Sequence, residues 1–152
     1  MVTNETAHVR SDIVALPAFD INKADTSILQ TINGIGSVLS NRIVTFRDKL
    51  GGFIHKSQLY EVYNLDSAVI ENLFDVGFIE EGFEGRLIDI NTITEEALAA
   101  HPYLSWKQAR LIIAYRDQHG EFYSEDDLMK VYSLTETDLI RISPYIQWAT
   151  PN

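Results

Sequence analysis

The sequence predicts an all-α fold made of two tandem copies of one small unit, each of four to five short helices. Three observations predict it. Asp20-Ile21-Asn22, Arg47-Asp48, Gly51, Phe53, Leu59, Val62-Tyr63 and Leu65 recur as Asp89-Ile90-Asn91, Arg116-Asp117, Gly120, Phe122, Leu128, Val131-Tyr132 and Leu134, each 69 positions later without a gap. A constant offset marks the duplication of a structural unit. Apolar residues in each copy fall at helical spacing, and alternation of the strand type is nearly absent.

Taken in order, residues 1–18 lie outside the repeat and read as a tail that packs only near Leu16 and Phe19. The first unit is residues 19–75, a linker covers 76–87, and the second unit is residues 88–148. Each copy opens with a short helix, at about residues 25–31 and 94–100. A long helix follows. In the first copy Leu39, Ile43, Phe46 and Leu50 are spaced four, three and four apart and form one face. The second copy keeps the pattern more weakly, through Gln108, Leu111, Ile112, Tyr115 and His119. Both long helices run into a glycine, Gly51 or Gly120, suited to a left-handed C-terminal cap. Two further short helices complete each copy, near 56–62 and 68–73 and near 125–131 and 136–142. Ser124-Glu125-Asp126-Asp127 has the form of an N-cap followed by acids. The patches at 78–79 and 87–88 are expected to be packed linker, not strand.

Composition narrows the functional classes. The chain has 152 residues, no cysteine and a formal net charge of -10. Disulfides, thiolate metal sites and thiol nucleophiles are therefore absent. No apolar run approaches the roughly 18 residues of a bilayer span, and the first dozen residues do not look like a signal peptide. As given, the chain is expected to be soluble. Net negative charge opposes a general attraction to nucleic acid. The charge is sorted, however. From Gly34 to Lys56, Arg42, Arg47, Lys49 and Lys56 face one acid, Asp48; from Pro102 to Gly120, Lys107, Arg110 and Arg116 face only Asp117.

A helix, the turn Ile32-Asn33-Gly34-Ile35-Gly36, a helix with Arg42-Ile43-Val44-Thr45-Phe46-Arg47, then Gly51-Gly52-Phe53 and Leu59-Tyr60-Glu61-Val62, resembles the helix-hairpin-helix (SAM-like) module of the ComEA-type competence family. Asp20-Ile21-Asn22-Lys23-Ala24 is similar to that family's opening motif, and residues 109–116 match its long helix. The resemblance implies binding of double-stranded DNA without sequence preference, through the phosphate backbone. It also implies a DNA-uptake role at a bacterial cell envelope, with any membrane anchor outside this sequence. A monovalent cation on the hairpin carbonyls is the one cofactor it allows. No small-molecule substrate and no enzymatic activity are expected.

The candidate DNA site is Asn33, Gly34, Ile35, Gly36, Ser37, Val38, Arg42 and Lys49. Glycines at 34 and 36 permit positive φ and leave the backbone uncovered, so the amides that open the long helix can meet a phosphate oxygen. Arg42 and Lys49, seven apart on one helix face, can extend the contact. In the second copy Tyr103 replaces Gly34, and a bulky residue at positive φ is costly, so that turn must be made differently. A weaker second contact is expected from Ser105, Trp106, Lys107 and Arg110, while the Tyr103 and Trp106 rings are expected to fill the space the glycines left. The later turns, at 63–66 and 132–135, lack glycine altogether, and Asp66 sets an acid where a phosphate would sit. Arg47 and Arg116 recur in both copies and are expected to be structural. The histidines share no position in the repeat, so no metal site is expected. The alternative is a protein-interaction scaffold whose acidic faces meet a basic partner.

Overall fold

The computed structural model describes residues 17–151. The described residues are all-α apart from four two-residue strands. They divide into two compact units. Unit 1 holds residues up to 44 together with 55–81, and unit 2 holds 45–54 together with those from 82 onward.

In unit 1, β1 (Phe19–Asp20) is followed by α1 (Thr26–Leu29), then α2 (Ser37–Leu50), which runs on into unit 2. A 3-10 helix, Lys56–Glu61, α3 (Ser67–Val76) and β2 (Gly77–Phe78) complete it. Unit 2 repeats the order with β3 (Ile88–Asp89), α4 (Glu95–Ala99), α5 (Trp106–His119), α6 (Glu125–Met129), α7 (Glu136–Ile142), a 3-10 turn Ser143–Tyr145 and β4 (Ile146–Gln147). Phe19–Asp20 pairs in parallel with Gly77–Phe78, and Ile88–Asp89 with Ile146–Gln147. Phe78 and Ile88, one residue of each patch expected to be packed linker, are thus ladder residues that join the first and last segments of each repeat, while Ile79 and Leu87 lie outside the ladders. Two residues are too few to show alternation in a sequence. Leu16 lies outside the described residues.

The repeated residues explain the fold. Asp20 and Asp89 each accept the amide two residues on, at 2.9 and 3.0 Å, and so fix the turn that leads into the first short helix. Asn91 both donates to the Phe122 carbonyl (3.1 Å) and accepts the Phe122 amide (2.7 Å). Arg116 donates to the carbonyls of Ile90 and Ile93 at 3.1 and 2.8 Å, which is the structural role expected of it. Ile21, Ile43, Phe53, Leu59 and their partners Ile90, Ile112, Phe122 and Leu128 are fully buried. Gly51 and Gly120 take φ of +94° and +90° after the long helices, as their C-terminal positions require.

Unit 2 has a feature that its sequence twin lacks. Leu50, Gly51 and Gly52, the turn after α2, are held by residues of the second repeat. Arg86 donates from its guanidinium to the Asp48 carbonyl at 2.7 Å, and its amide donates to the Gly51 carbonyl at 2.7 Å. The Tyr145 hydroxyl donates to the Gly52 carbonyl at 2.6 Å. His101, 5% exposed, donates from Nε2 to the Leu50 carbonyl at 2.9 Å and accepts the Tyr103 amide at Nδ1 (3.1 Å). Those two bonds fix a neutral imidazole. Tyr103 packs against His101 and Tyr145, with ring centroids 5.3 and 6.2 Å away.

Burial holds the His101 pKa at about 4, with Arg141 and Arg86 adding to the depression and the Leu50 carbonyl opposing it. The unfolded chain takes up that proton near its ordinary value of about 6.5. The unfolded state therefore binds more protons in this window, and stability is complete above about pH 6.5 and falls as pH drops toward 4. The loss attributable to His101 by pH 4 is on the order of 3 kcal/mol. Thermal melts at pH 7 and pH 5 are expected to show a larger acid-induced drop in the parent than in His101→Gln. Equal drops would remove His101 as the cause.

Candidate nucleic-acid interface

Four helices in the two units begin just after a hairpin turn, and their first residues differ in the one atom group that matters. The residue before each helix is Gly36, Asp66, Ser105 or Thr135. Ser105 accepts the Gln108 amide on its hydroxyl while Gln108 returns a bond to the Ser105 amide. Thr135 and Asp138 make the same reciprocal pair. Asp66 makes no cap bond but places a carboxylate there. Gly36 has no side chain, and a Cβ built on it would meet nothing within 4 Å. Among the described residues no side chain caps the amides at the start of the 14-residue α2, which lie next to the positive end of the helix dipole.

The turn that exposes them is made by Gly34, at φ +97°. A Cβ there would lie 2.8 Å from Val69 Cγ2, so Gly34 is needed twice, for its conformation and for its closeness to α3. Gly36 is not in the left-handed region; its role is open space. That corrects the expectation that both glycines supply positive φ. Ile35 is buried and anchors the turn, whereas Val38 is 65% exposed beside the free amides.

The two hairpins of unit 1 hold one another. Asn72, on α3, donates to the Asn33 carbonyl of the first turn at 3.1 Å. Arg42, on α2, donates to the Tyr63 carbonyl of the second turn at 3.1 Å and stacks on the Tyr63 ring at 5.0 Å. Both pairs are 30 positions apart, 33 with 63 and 42 with 72, so each half of the unit repeats the other. In unit 2, Gln108 donates to the Ser133 carbonyl at 3.3 Å. Side-chain donors thus sit on one carbonyl of each of these three turns, and a guanidinium on the Tyr63 carbonyl repels a cation there.

The second hairpins keep their turn without glycine. Asn64 and Ser133 take φ of +63° and +80°, as the two non-glycine residues with positive φ among those described. Asparagine does this at modest cost because its short amide bonds locally. Tyr103, by contrast, is absent from that set, and the first hairpin of the second repeat turns another way, as expected. Its ring is buried, with the Arg141 guanidinium 4.0 Å above it. Trp106 does not fill the same space, for it is 53% exposed.

Of the candidate residues, the structure brings Asn33 to Val38 and Arg42 together in unit 1. Arg42 is occupied at the second turn. Lys49 belongs to unit 2 and is not brought to the first turn. Ser105 is engaged in its cap, while Lys107 and Arg110 are exposed on α5. The residues that sequence reasoning missed are Val69 and Asn72, which set the first turn from across the unit. The 30-residue internal repeat was their signal. Among the described residues no group of three or more His, Asp or Glu could hold a metal ion, and no helix is long and apolar enough to cross a membrane.

The chain belongs to the helix-hairpin-helix motif family, whose model matches residues 14–75 and 84–147. ComE operon protein 1 of Bacillus subtilis is 35% identical over 66 residues, covering 43% of this chain and 32% of that protein, and it bears out the ComEA-type resemblance. Endonuclease/exonuclease/phosphatase family domain-containing protein 1 is 25% identical in Xenopus laevis over 162 residues, 92% of this chain and 29% of that one. The Homo sapiens form is 24% identical, over 81% of this chain and 26% of its own length. The chain therefore spans less than a third of each of these relatives.

Two substitutions separate the roles of the glycines. Gly34→Ala is expected to cost about 2–4 kcal/mol, from strain at positive φ and overlap with Val69. Gly36→Ser, which restores the residue type found at 105, is expected to leave stability unchanged or raise it by a few tenths of a kcal/mol. Urea unfolding of both variants checks this; a Gly36→Ser protein as unstable as Gly34→Ala would show that the site is not open.

Proposed function

We propose that the chain is a non-enzymatic, sequence-nonspecific binder of double-stranded DNA that docks residues 33–38 on a backbone phosphate. The observation that carries this reading is Gly36, the one hairpin-helix junction of the four with neither a cap nor a carboxylate. Amides at a helix start and the helix dipole favour an anionic oxygen, and they contact it without reading a base. Family membership and the ComE operon protein 1 match support a nucleic-acid partner of the ComEA type. The DNA-uptake role rests on that relative alone.

Lys49, exposed farther along α2, supplies a second phosphate contact in this reading. Lys107 and Arg110 supply a weaker one in the second repeat. The site offers amides and cations but no nucleophile, so the chain is read as a binding module. The catalytic family in the vertebrate relatives' name belongs to proteins of which this chain spans under a third. With few phosphates engaged and a net charge of -10, affinity is expected at about 10⁻⁴ to 10⁻⁶ M near physiological salt.

A protein-interaction scaffold is the second reading, favoured by the net charge and by the three junctions closed with side chains or a carboxylate. One titration decides between them. Fluorescence anisotropy of a labelled duplex at low salt is expected to show binding that weakens steeply with salt, and Gly36→Asp is expected to weaken it about tenfold or more. Lys49→Gln is expected to weaken it and to reduce the salt slope by about one unit. A parent that does not bind, or a Gly36→Asp protein that binds equally well, would contradict the DNA reading and leave the scaffold.

A further inference from the structure

Eight apolar positions carry the same residue in both repeats. Seven of those pairs are buried in both copies: Ile21 and Ile90, Leu29 and Leu98, Ile43 and Ile112, Phe53 and Phe122, Leu59 and Leu128, Val62 and Val131, Leu65 and Leu134. The eighth, Tyr63 and Tyr132, is 77% and 79% exposed. The fold accounts for the seven. It does not account for the tyrosines, because a ring that exposed contributes little to a core. Nor does the Arg42 stack explain them, since Leu111 stands at the Arg42 position in the second repeat and Tyr132 is present and exposed without it.

Each tyrosine sits one residue before the left-handed residue of a second hairpin, Asn64 or Ser133, so the turn projects it outward. In unit 1 that hairpin is tied to the first through Arg42 and Asn72, which puts Tyr63 and the open amides of residues 36–38 on adjoining turns. In unit 2 Gln108 ties the Ser133 carbonyl to α5, next in sequence to Lys107 and Trp106. The charges beside the tyrosines in sequence are mostly acidic, with Lys130 two residues before Tyr132 as the exception. Glu61 and Asp66 flank Tyr63, and Glu136 and Asp138 follow Tyr132. These carboxylates repel phosphate, so the tyrosines are not phosphate contacts. The Arg42 guanidinium lies over one face of the Tyr63 ring, and with the ring 77% exposed its other face is open to a base.

We propose that Tyr63 and Tyr132 are stacking platforms for unpaired bases, one in each unit, so that the protein also takes single-stranded nucleic acid at its second hairpins. This rests on the nucleic-acid reading above and adds a second mode to it. In the first hairpin the strand is held by its phosphate, and in the second by the face of a base. Stacking on an aromatic side chain is tolerant of sequence, which fits a binder without base preference.

The test is anisotropy of a labelled single-stranded oligonucleotide and of the corresponding duplex, with the parent, Tyr63→Leu, Tyr132→Leu, the double variant and Tyr63→Phe. Tyr132 is exposed, so its variant is expected to melt with the parent; Tyr63→Leu loses the Arg42 stack but keeps the backbone carbonyl that Arg42 bonds, and a thermal melt of each variant checks that the fold is intact. Tyr63→Leu or Tyr132→Leu is expected to weaken single-strand binding about fivefold or more and to leave duplex binding within about twofold, while Tyr63→Phe keeps the parent's values. A parent that binds duplex but not single strands overturns this proposal alone. Leucine variants that bind single strands as the parent does also overturn it, and leave the pair as a protein-contact surface. A parent that binds neither form overturns it together with the duplex reading.

Discussion

Reciprocal clasping of the two hairpins in a unit is the constraint on which the rest depends. A short turn between helices leaves carbonyls pointing away from any helix, and these need a donor. Each turn in unit 1 takes its donor from the helix that follows the other turn: Asn72 serves Asn33, and Arg42 serves Tyr63. Val69 closes the same arrangement by packing where a Cβ on Gly34 would sit. The first turn cannot relax without disturbing α3. In the proposed DNA reading that rigidity holds the α2 amides ready for a phosphate, and preorganisation of this kind lowers the cost of holding an anion.

The second repeat shows the same scaffold put to another use. His101, Tyr103 and Tyr145 occupy the positions of Ile32, Gly34 and Val76 in the first copy, and together they seat Leu50, Gly51 and Gly52. The first hairpin there has exchanged an open turn for a packed aromatic cluster. Loss of the glycines is thus a gain of interior for unit 2. The buried, neutral His101 carries that cost as a sensitivity to acid.

Much of this was legible in the residues. The 69-residue offset pointed to the all-α tandem architecture, the long helices and the structural role of Arg116, because duplicated burial leaves identical residues behind. That the Gly34-Ile35-Gly36 turn differs from its copy followed from comparing the repeats, whereas the separate roles of the two glycines did not, because φ and the space around a Cβ are set by the fold. What escaped was what long-range contact decides: the strands, two residues long, and the donors Asn72 and Arg42, whose partners are 39 and 21 positions away. The left-handed turns at Asn64 and Ser133 carry no glycine to announce them: asparagine enters that region at lower frequency, and serine gives no sequence signal for it.

In the proposed reading one hairpin of the four holds open amides for a phosphate. Amide-resolved NMR during titration with a short duplex at low salt tests it most directly. The account predicts that the largest shifts fall on residues 36–39, with smaller ones at 105–110. Shifts centred on Ser105, Asp66 or Thr135, with residues 36–39 unmoved, would contradict it.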